Sequence, residues 1–255
     1  MAGLNPEEPR DTQRSRFTAS QFLNPLAIVI AGVMISGAIV YSGRQPLQVV
    51  APQAGVPSSV APAVAPQVPA DIAKVNLTGE PIIGDPKAPV VMAYWFDYQC
   101  PFCHQEEEDV LPQIISDYVD TGKIRMVFKD YAFLGPDSQT AALAARAVWQ
   151  IAPDKFEQWH KAMFDQQGAE NSGWAQKTNI LALTMKIPGI DANQVDMLMT
   201  SQAATYNAAM QADAAEGNAI GVGGTPSILV GKQMFVGVQS YETLKAAIDA
   251  VLAGR

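Results

Sequence analysis

The only two cysteines of this 255-residue chain, Cys100 and Cys103, lie three positions apart. A thiolate is a nucleophile, and two cysteines one helical turn apart lie within the distance that a disulfide bond tolerates. The pair can therefore alternate between dithiol and disulfide by exchange with the thiols of another molecule. This spacing predicts a redox site in which Cys100 and Cys103 are both catalytic.

The residues around the pair indicate how it is positioned. The apolar run VVMAYWF, residues 90–96, predicts a buried strand, and Pro101 suits the first position of a helix because it lacks an N–H group. Cys100 would then lie at the N-terminus of a helix ending near Tyr118, where free N–H groups and the helix dipole favour a thiolate. Cys103 would follow on the same helical face.

Other uses of the two cysteines fit the sequence less well. A structural zinc site needs four ligands, and the chain adds only His104 and His160. Cys100 to His104 matches the C-x-x-C-H pattern of c-type haem attachment, but a buried strand before it and a proline inside it disfavour that interpretation. An inert disulfide across four residues would stabilise very little. We therefore expect neither a metal nor a cofactor.

The remaining patterns predict an α/β fold with a helical insertion. IRMVF, residues 124–128, is typical of a second strand. A block at about residues 136–220 is rich in helix-forming residues, and its predicted helices cover residues 141–151, 154–166, 174–185 and 192–218. A hairpin follows, and Ser240 can then cap a last helix over residues 241–252. The predicted hairpin strands are residues 227–230 and 234–237, joined through residues 231–233.

The N-terminal part predicts a membrane anchor. Residues 22–41 carry no charge, and at about 1.5 Å per residue they would cross the ~30 Å hydrocarbon core as a single transmembrane helix. Three arginines precede this segment and one follows closely, which puts residues 1–21 in the cytoplasm. A cleaved signal peptide is the alternative, but the apolar run is long for one, and no convincing cleavage site follows it.

Residues 42–70 are rich in proline and alanine, which favours an extended linker. The folded domain, residues 71–255, would then lie outside the cytoplasmic (inner) membrane, in the periplasm or an equivalent extracytoplasmic space. The whole chain has a net charge of −8, and this domain carries −9 of it against +1 for residues 1–44, which disfavours nucleic-acid binding. We expect the acidic run at residues 106–109 to be a solvated helix face, with cation binding as the alternative. The chain lacks the G-x-S-x-G motif of hydrolases.

Three segments of the chain resemble the DsbA-like branch of the thioredoxin superfamily, in its membrane-tethered bacterial forms. The resemblance covers nearly all of residues 79–252, and its segments are GEPIIGDPKAPVVMAYWFDYQCPFC, AALAARAVWQIAPDKFEQWHKAMFDQ and GVGGTPSILVGKQMFVGVQSYETLKAAI. It implies a thioredoxin-like fold with a helical insertion. It also implies a cis peptide bond between Thr225 and Pro226, and a Thr225 backbone that pairs with the substrate. The expected substrate-binding residues are Thr225, Pro226 and Phe102, with Pro101 supporting the motif.

One position departs from the family pattern. Where the family carries a buried acid, six residues before the first cysteine, this chain has Tyr94. Asp97 is nearby, but three residues along a strand reverse the face. Tyr94, water or Asp97 would then relay protons, or resolution would be slow. Because Phe102 offers the thiolate neither a charge nor a hydrogen bond, we expect a milder oxidant than the strongest members of the family.

The resemblance implies a thiol:disulfide oxidoreductase that oxidises cysteine pairs of exported proteins and is itself reoxidised by a membrane redox partner. The alternative is a disulfide reductase or isomerase that a membrane electron donor keeps reduced. A minor alternative from another class is a non-catalytic peptide-binding or chaperone module. The reduction potential and the redox state of the pair in the cell would distinguish these functions.

Overall fold

The structure, a computed structural model, describes residues 68–254. The predicted tail and transmembrane helix, residues 1–41, and nearly all of the predicted linker lie outside the described residues. Within residues 68–254, no helix is both long enough and apolar enough to cross a bilayer. Val68–Pro69 already form a strand, so the folded part begins before Asp71.

The described residues alternate between strands and helices as an α/β fold. The strands are β1 Val68–Pro69, β2 Ile82–Ile83, β3 Val90–Phe96, β4 Ile124–Asp130, β5 Ser227–Val230 and β6 Gln233–Val236. The helices are α1 Pro101–Asp109, α2 Leu111–Ile114, α3 Pro136–Ile151, α4 Phe156–Asp165, α5 Lys177–Thr184, α6 Ala192–Ser201, α7 Ala203–Ala219 and α8 Tyr241–Leu252. The predicted strands, hairpin and last helix are confirmed, and Ser240 caps α8 by accepting a hydrogen bond from the Thr243 N–H group.

The strands form one mixed sheet in the order β1-β6-β5-β3-β4-β2. β3 lies inside this sheet, parallel to β4 and antiparallel to β5. Both of its faces are covered: Met92, Tyr94 and Phe96 pack into the main core, whereas Ala93 and Trp95 pack into a smaller one. This explains why the β3 sequence is continuously apolar rather than alternating.

Two predicted helices are each divided by a break that the sequence did not predict. The helix expected from Pro101 to about Tyr118 is interrupted at Val110 and restarts with Pro112 in the first turn of α2; a π-helical segment, Ile115–Val119, then continues it, so its predicted end is confirmed. Proline cannot donate the hydrogen bond of a helix interior, so a restart at this point accommodates it. The helix expected over residues 192–218 is likewise divided at Gln202, where neither proline nor glycine marks the break.

A buried ionic network attaches the helical block to the sheet. Lys129 of β4 and Arg146 of α3 are 1% and 7% exposed. The Lys129 Nζ atom lies 2.5 Å from Asp213, 3.0 Å from Glu216 and 3.3 Å from Glu80. Arg146 contacts Glu80, Asp130 and Asp213. The network therefore joins α3, α7 and the segment before β2 to the middle of the sheet.

Candidate active site

The turn between β3 and α1 positions the two cysteines. Cys100 is the N-cap of α1, Pro101 begins the helix, and the His104 N–H group donates to the Cys100 carbonyl oxygen at 3.1 Å. Cys103 follows one turn later. Cys100 is 5% exposed and Cys103 is fully buried, so an attacking molecule can reach only Cys100. Both cysteines have the helical placement that their spacing predicted.

The two thiols differ strongly in acidity. The pKa of Cys100 is lowered to about 6, mainly because the Cys103 thiol hydrogen-bonds to its sulfur, helped by Thr225 and by the backbone of Phe102 and Cys103. The pKa of Cys103 is raised well above its usual value, because burial and the neighbouring Cys100 sulfur both disfavour a second negative charge. Near neutral pH, the reduced pair therefore holds a thiolate on Cys100 and a thiol on Cys103.

The segment before β5 faces the pair. Because β3 and β5 are antiparallel, with Trp95 opposite Ser227, the end of β3 and the start of β5 lie at the same edge of the sheet. The Thr225–Pro226 peptide bond is cis, as the family resemblance implies. The Cys100 sulfur lies 3.3 Å from the Thr225 carbonyl oxygen, to which the thiol form of Cys100 donates a hydrogen bond. The Thr225–Pro226 segment thus lies beside the cysteine pair. Cys103, the fully buried member of the pair, packs into the core.

Phe102 lies at the surface of the same helix turn. It is 60% exposed, which is unusual for a large apolar side chain next to a buried cysteine pair. Beside the Thr225–Pro226 segment is an open cavity of about 570 Å³, lined in part by Tyr131, Phe133, Gly223 and Gly224. Phe133 is also exposed, at 56%. Exposed apolar side chains therefore lie on the cysteine turn, at Phe102, and at the cavity beside the Thr225–Pro226 segment, at Phe133.

Asp97 and Gln99 connect the cysteine turn to the helical block, a role that the sequence did not reveal. The Asp97 carboxylate accepts hydrogen bonds from the Gln99 and Phe133 N–H groups at 2.8 and 2.9 Å and from the Ser138 hydroxyl at 2.6 Å. It also accepts from the Leu134 N–H group at 3.1 Å. With four donors around it, this carboxylate fixes the turn.

The acidic run after the pair was predicted to be solvated, and this is wrong for two of its members. Glu106 is fully buried, and its Oε2 atom accepts a hydrogen bond from the Gln239 N–H group at 2.8 Å. Glu107 contacts the buried His160 Nε2 atom at 2.8 Å, and Tyr98 contacts the other ring nitrogen at 2.7 Å. Both ring nitrogens of this histidine are thus engaged by protein groups. Only Glu108 and Asp109 are exposed.

The difference in acidity between the two thiols leads to a prediction about alkylation. In the reduced protein, reaction of Cys100 with iodoacetamide should reach half its maximal rate at a pH of about 6, because only the thiolate reacts. Cys103 should stay unmodified over the same range because it is buried and remains a thiol. Alkylation rates from pH 4 to 9, with peptide mass mapping, would measure both. A midpoint near the ordinary cysteine pKa of about 8.5 would contradict the arrangement.

Comparisons with known proteins show which proteins the chain is similar to. The family model described as Thioredoxin matches residues 76–250. Disulfide bond formation protein D of Bacillus subtilis (strain 168) is 26% identical over 180 residues, which cover 71% of this chain and 80% of that protein. The crystal structure of oxidised BdbD from Bacillus subtilis aligns with a TM-score of 0.66 at 26% identity, covering 74% of this chain and 99% of that one. The thiol-disulfide exchange protein alpha-DsbA2 from Wolbachia pipientis aligns with a TM-score of 0.60 at 26% identity, covering 68% of this chain and 88% of that one.

Proposed function

The chain belongs to the thioredoxin family, and from this premise we propose that Cys100 and Cys103 oxidise cysteine pairs of exported proteins. Like its DsbA-like relatives, the protein is a thiol:disulfide oxidoreductase. The observation that carries the proposed direction is the lowered pKa of Cys100 beside a Cys103 whose pKa is raised. A stabilised thiolate makes Cys100 a good leaving group and favours the reduced pair, so the disulfide form acts as an oxidant.

The exchange has two steps. A substrate thiolate attacks the Cys100 sulfur of the Cys100–Cys103 disulfide, a bond forms between substrate and Cys100, and Cys103 leaves with the electron pair and takes up a proton. The second substrate thiolate then attacks the substrate sulfur of this mixed disulfide, and Cys100 leaves as a thiolate. The substrate loses two electrons and gains a disulfide, while both cysteines of the enzyme become reduced.

Substrate binding uses the exposed surface around Cys100. Thr225 presents its backbone beside the sulfur, and an extended peptide can pair with that backbone as a short strand. Phe102 supplies an apolar contact next to the reacting cysteine. Pro226 offers no N–H group that would compete for the peptide's hydrogen bonds. These three residues form the proposed substrate-binding surface.

The proposed setting is the outer side of the cytoplasmic membrane. Residues 22–41 would anchor the chain, residues 1–21 would remain in the cytoplasm, and residues 42–70 would tether the domain of residues 71–255, whose helical insertion covers about residues 136–220. A membrane redox partner would take two electrons from the reduced pair and restore the disulfide. Protease protection in spheroplasts, with a tag at each terminus, would test this orientation.

The reduction potential tests the direction of electron flow. A Cys100 pKa of about 6 lies between that of the strongest oxidants, about 3.5, and that of thioredoxin, about 7. We therefore expect a potential between about −120 and −270 mV against glutathione, and a mostly oxidised pair in the cell. A potential at or below about −270 mV with a reduced pool would instead support the reductase or isomerase function.

A further inference from the structure

A buried carboxyl group lies next to the cysteine pair at a position where the sequence predicted a solvated one. Glu106 follows Cys103 by three residues on α1, so both side chains lie on the same face of the helix. Glu106 is fully buried. One carboxyl oxygen accepts from the Gln239 N–H group, whereas Oε1 is buried and has no hydrogen-bond partner among the described residues. A buried polar atom without a partner is costly and calls for a functional explanation.

Tyr94 is a second buried polar side chain, in the same core cluster as Cys103. It lies on β3, is fully buried, and within residues 68–254 its hydroxyl group makes no hydrogen bond. Burial raises the pKa of its phenol, and charges on Cys103, Glu107 and Glu106 raise it further. The hydroxyl group is thus in the electric field of both the Cys103 sulfur and the Glu106 carboxylate. A neutral hydroxyl can accept one proton while it donates another.

We propose that Glu106 donates the proton that the Cys103 thiolate needs when the disulfide opens, and that the Tyr94 hydroxyl group passes it on. This inference rests on the proposed exchange function. The Cys100–Cys103 bond breaks, a bond between substrate and Cys100 forms, and the electron pair stays on Cys103. The proton then moves from Glu106 to Tyr94 and from Tyr94 to Cys103. Glu106 is left as a carboxylate, which water reprotonates, and reoxidation reverses the path.

The acidities of the groups favour this direction of transfer. Burial raises the pKa of Glu106 to about 7, with Glu107 and Asp109 adding to the rise and the Gln239 N–H group opposing it. No lysine or arginine pairs with Glu106 in the part of the chain that the structure describes. Because the pKa of Cys103 is raised well above its usual value, it lies above that of Glu106, and the thiolate takes the proton readily.

The test replaces Glu106 with glutamine, which still accepts the Gln239 hydrogen bond but cannot donate a titrating proton. Reduction of the oxidised full-length protein by dithiothreitol would be followed from pH 5 to 9, with each rate divided by the dithiothreitol thiolate concentration. In the oxidised protein Cys100 is bonded, so its own titration cannot contribute. We expect the wild-type rate to fall as pH rises through about 7, as Glu106 loses its proton.

Glu106→Gln should lose this inflection and react on the order of 10²-fold more slowly at pH 6, since a positioned proton donor typically contributes at least that much. Tyr94→Phe should also be slower at pH 6, because the path is broken. Glu108→Gln is the matched control: it removes the same charge from an exposed position of α1 and should keep both rate and inflection.

Three outcomes would overturn the assignment. The first is a Glu106→Gln variant that keeps the inflection and is reduced at a rate within about twofold of wild type. The others are a wild-type pH profile without an inflection and a Tyr94→Phe variant that is reduced at the wild-type rate at pH 6. If Glu106→Gln does not fold, the wild-type profile and Tyr94→Phe decide. A wild-type protein that dithiothreitol does not reduce at all would refute the exchange function itself, so the two failures can be told apart.

Discussion

Replacing Cys103 with alanine is expected to abolish turnover and to leave Cys100 bonded to its protein substrates. The variant cannot form the internal disulfide that carries two oxidising equivalents, so oxidation of substrate dithiols should fall to the uncatalysed rate. Its Cys100 keeps a place at the N-terminus of α1 and can still attack substrate disulfides. No second thiol is available to release the resulting mixed disulfide. Non-reducing gels of membrane and periplasmic fractions, followed by mass spectrometry, would detect the complexes.

The control for this experiment is Cys100→Ala, alone and combined with Cys103→Ala. Cys103 is fully buried, so in Cys100→Ala it should trap nothing. Losing the hydrogen bond from Cys103 also removes the main cause of the lowered Cys100 pKa, so trapping by Cys103→Ala should need a higher pH than wild-type exchange. The absence of trapped proteins at any pH would count against protein substrates.

Replacing Lys129 with methionine is expected to lower the free energy of unfolding by about 3–5 kcal/mol, the usual effect of removing one partner from a buried ion pair. Lys129 is 1% exposed, and its ammonium group lies between Glu80, Asp213 and Glu216. Without it, several carboxylates remain buried opposite Arg146 alone. Urea unfolding at pH 7 would measure the loss. Lys245→Met is the control: it removes a surface pair with Asp249, so the free energy of unfolding should change little.

The loss in Lys129→Met should depend on pH. Burial already raises the pKa of Glu80 to about 7 and that of Asp130 to about 6 in the native protein. A carboxyl whose pKa is raised on folding contributes stability below its unfolded pKa and loses it as pH rises through the folded value. The wild type should therefore lose stability between about pH 4.5 and 7 from this network. The variant should lose more, so the difference should be larger at pH 8 than at pH 5.

The sequence predicted the parts of the site that are formed by residues close together along the chain. The run VVMAYWF reveals a strand because both faces of β3 are buried, and the four residues from Cys100 to Cys103 contain both the helix start and the redox pair. The roles of Thr225 and Pro226 beside the cysteines were predicted only from the family resemblance. Periodicity alone would not place these residues beside a cysteine 125 positions earlier.

The features that were missed depend on distant contacts. Four consecutive acidic residues indicate charge, but Glu106 is buried and accepts a hydrogen bond from the backbone of Gln239, 133 residues away. Lys129 likewise tolerates burial because partners arrive from both sides of the sequence, at Glu80 and Asp213. In the sequence, Asp97 looks like an ordinary turn residue, and only the folded structure shows that the Phe133 N–H group donates to it. No nearby pattern marks any of these three burials.

The contact between Cys100 and Thr225 has a consequence for protein synthesis. Thr225 and Gln239 are translated more than a hundred residues after the cysteines, yet one touches the Cys100 sulfur and the other holds Glu106. A nascent chain that has emerged only as far as α1 therefore lacks the completed surroundings of both groups. The surroundings of the Cys100 sulfur and of Glu106 are complete only once the chain through Gln239 has folded onto α1.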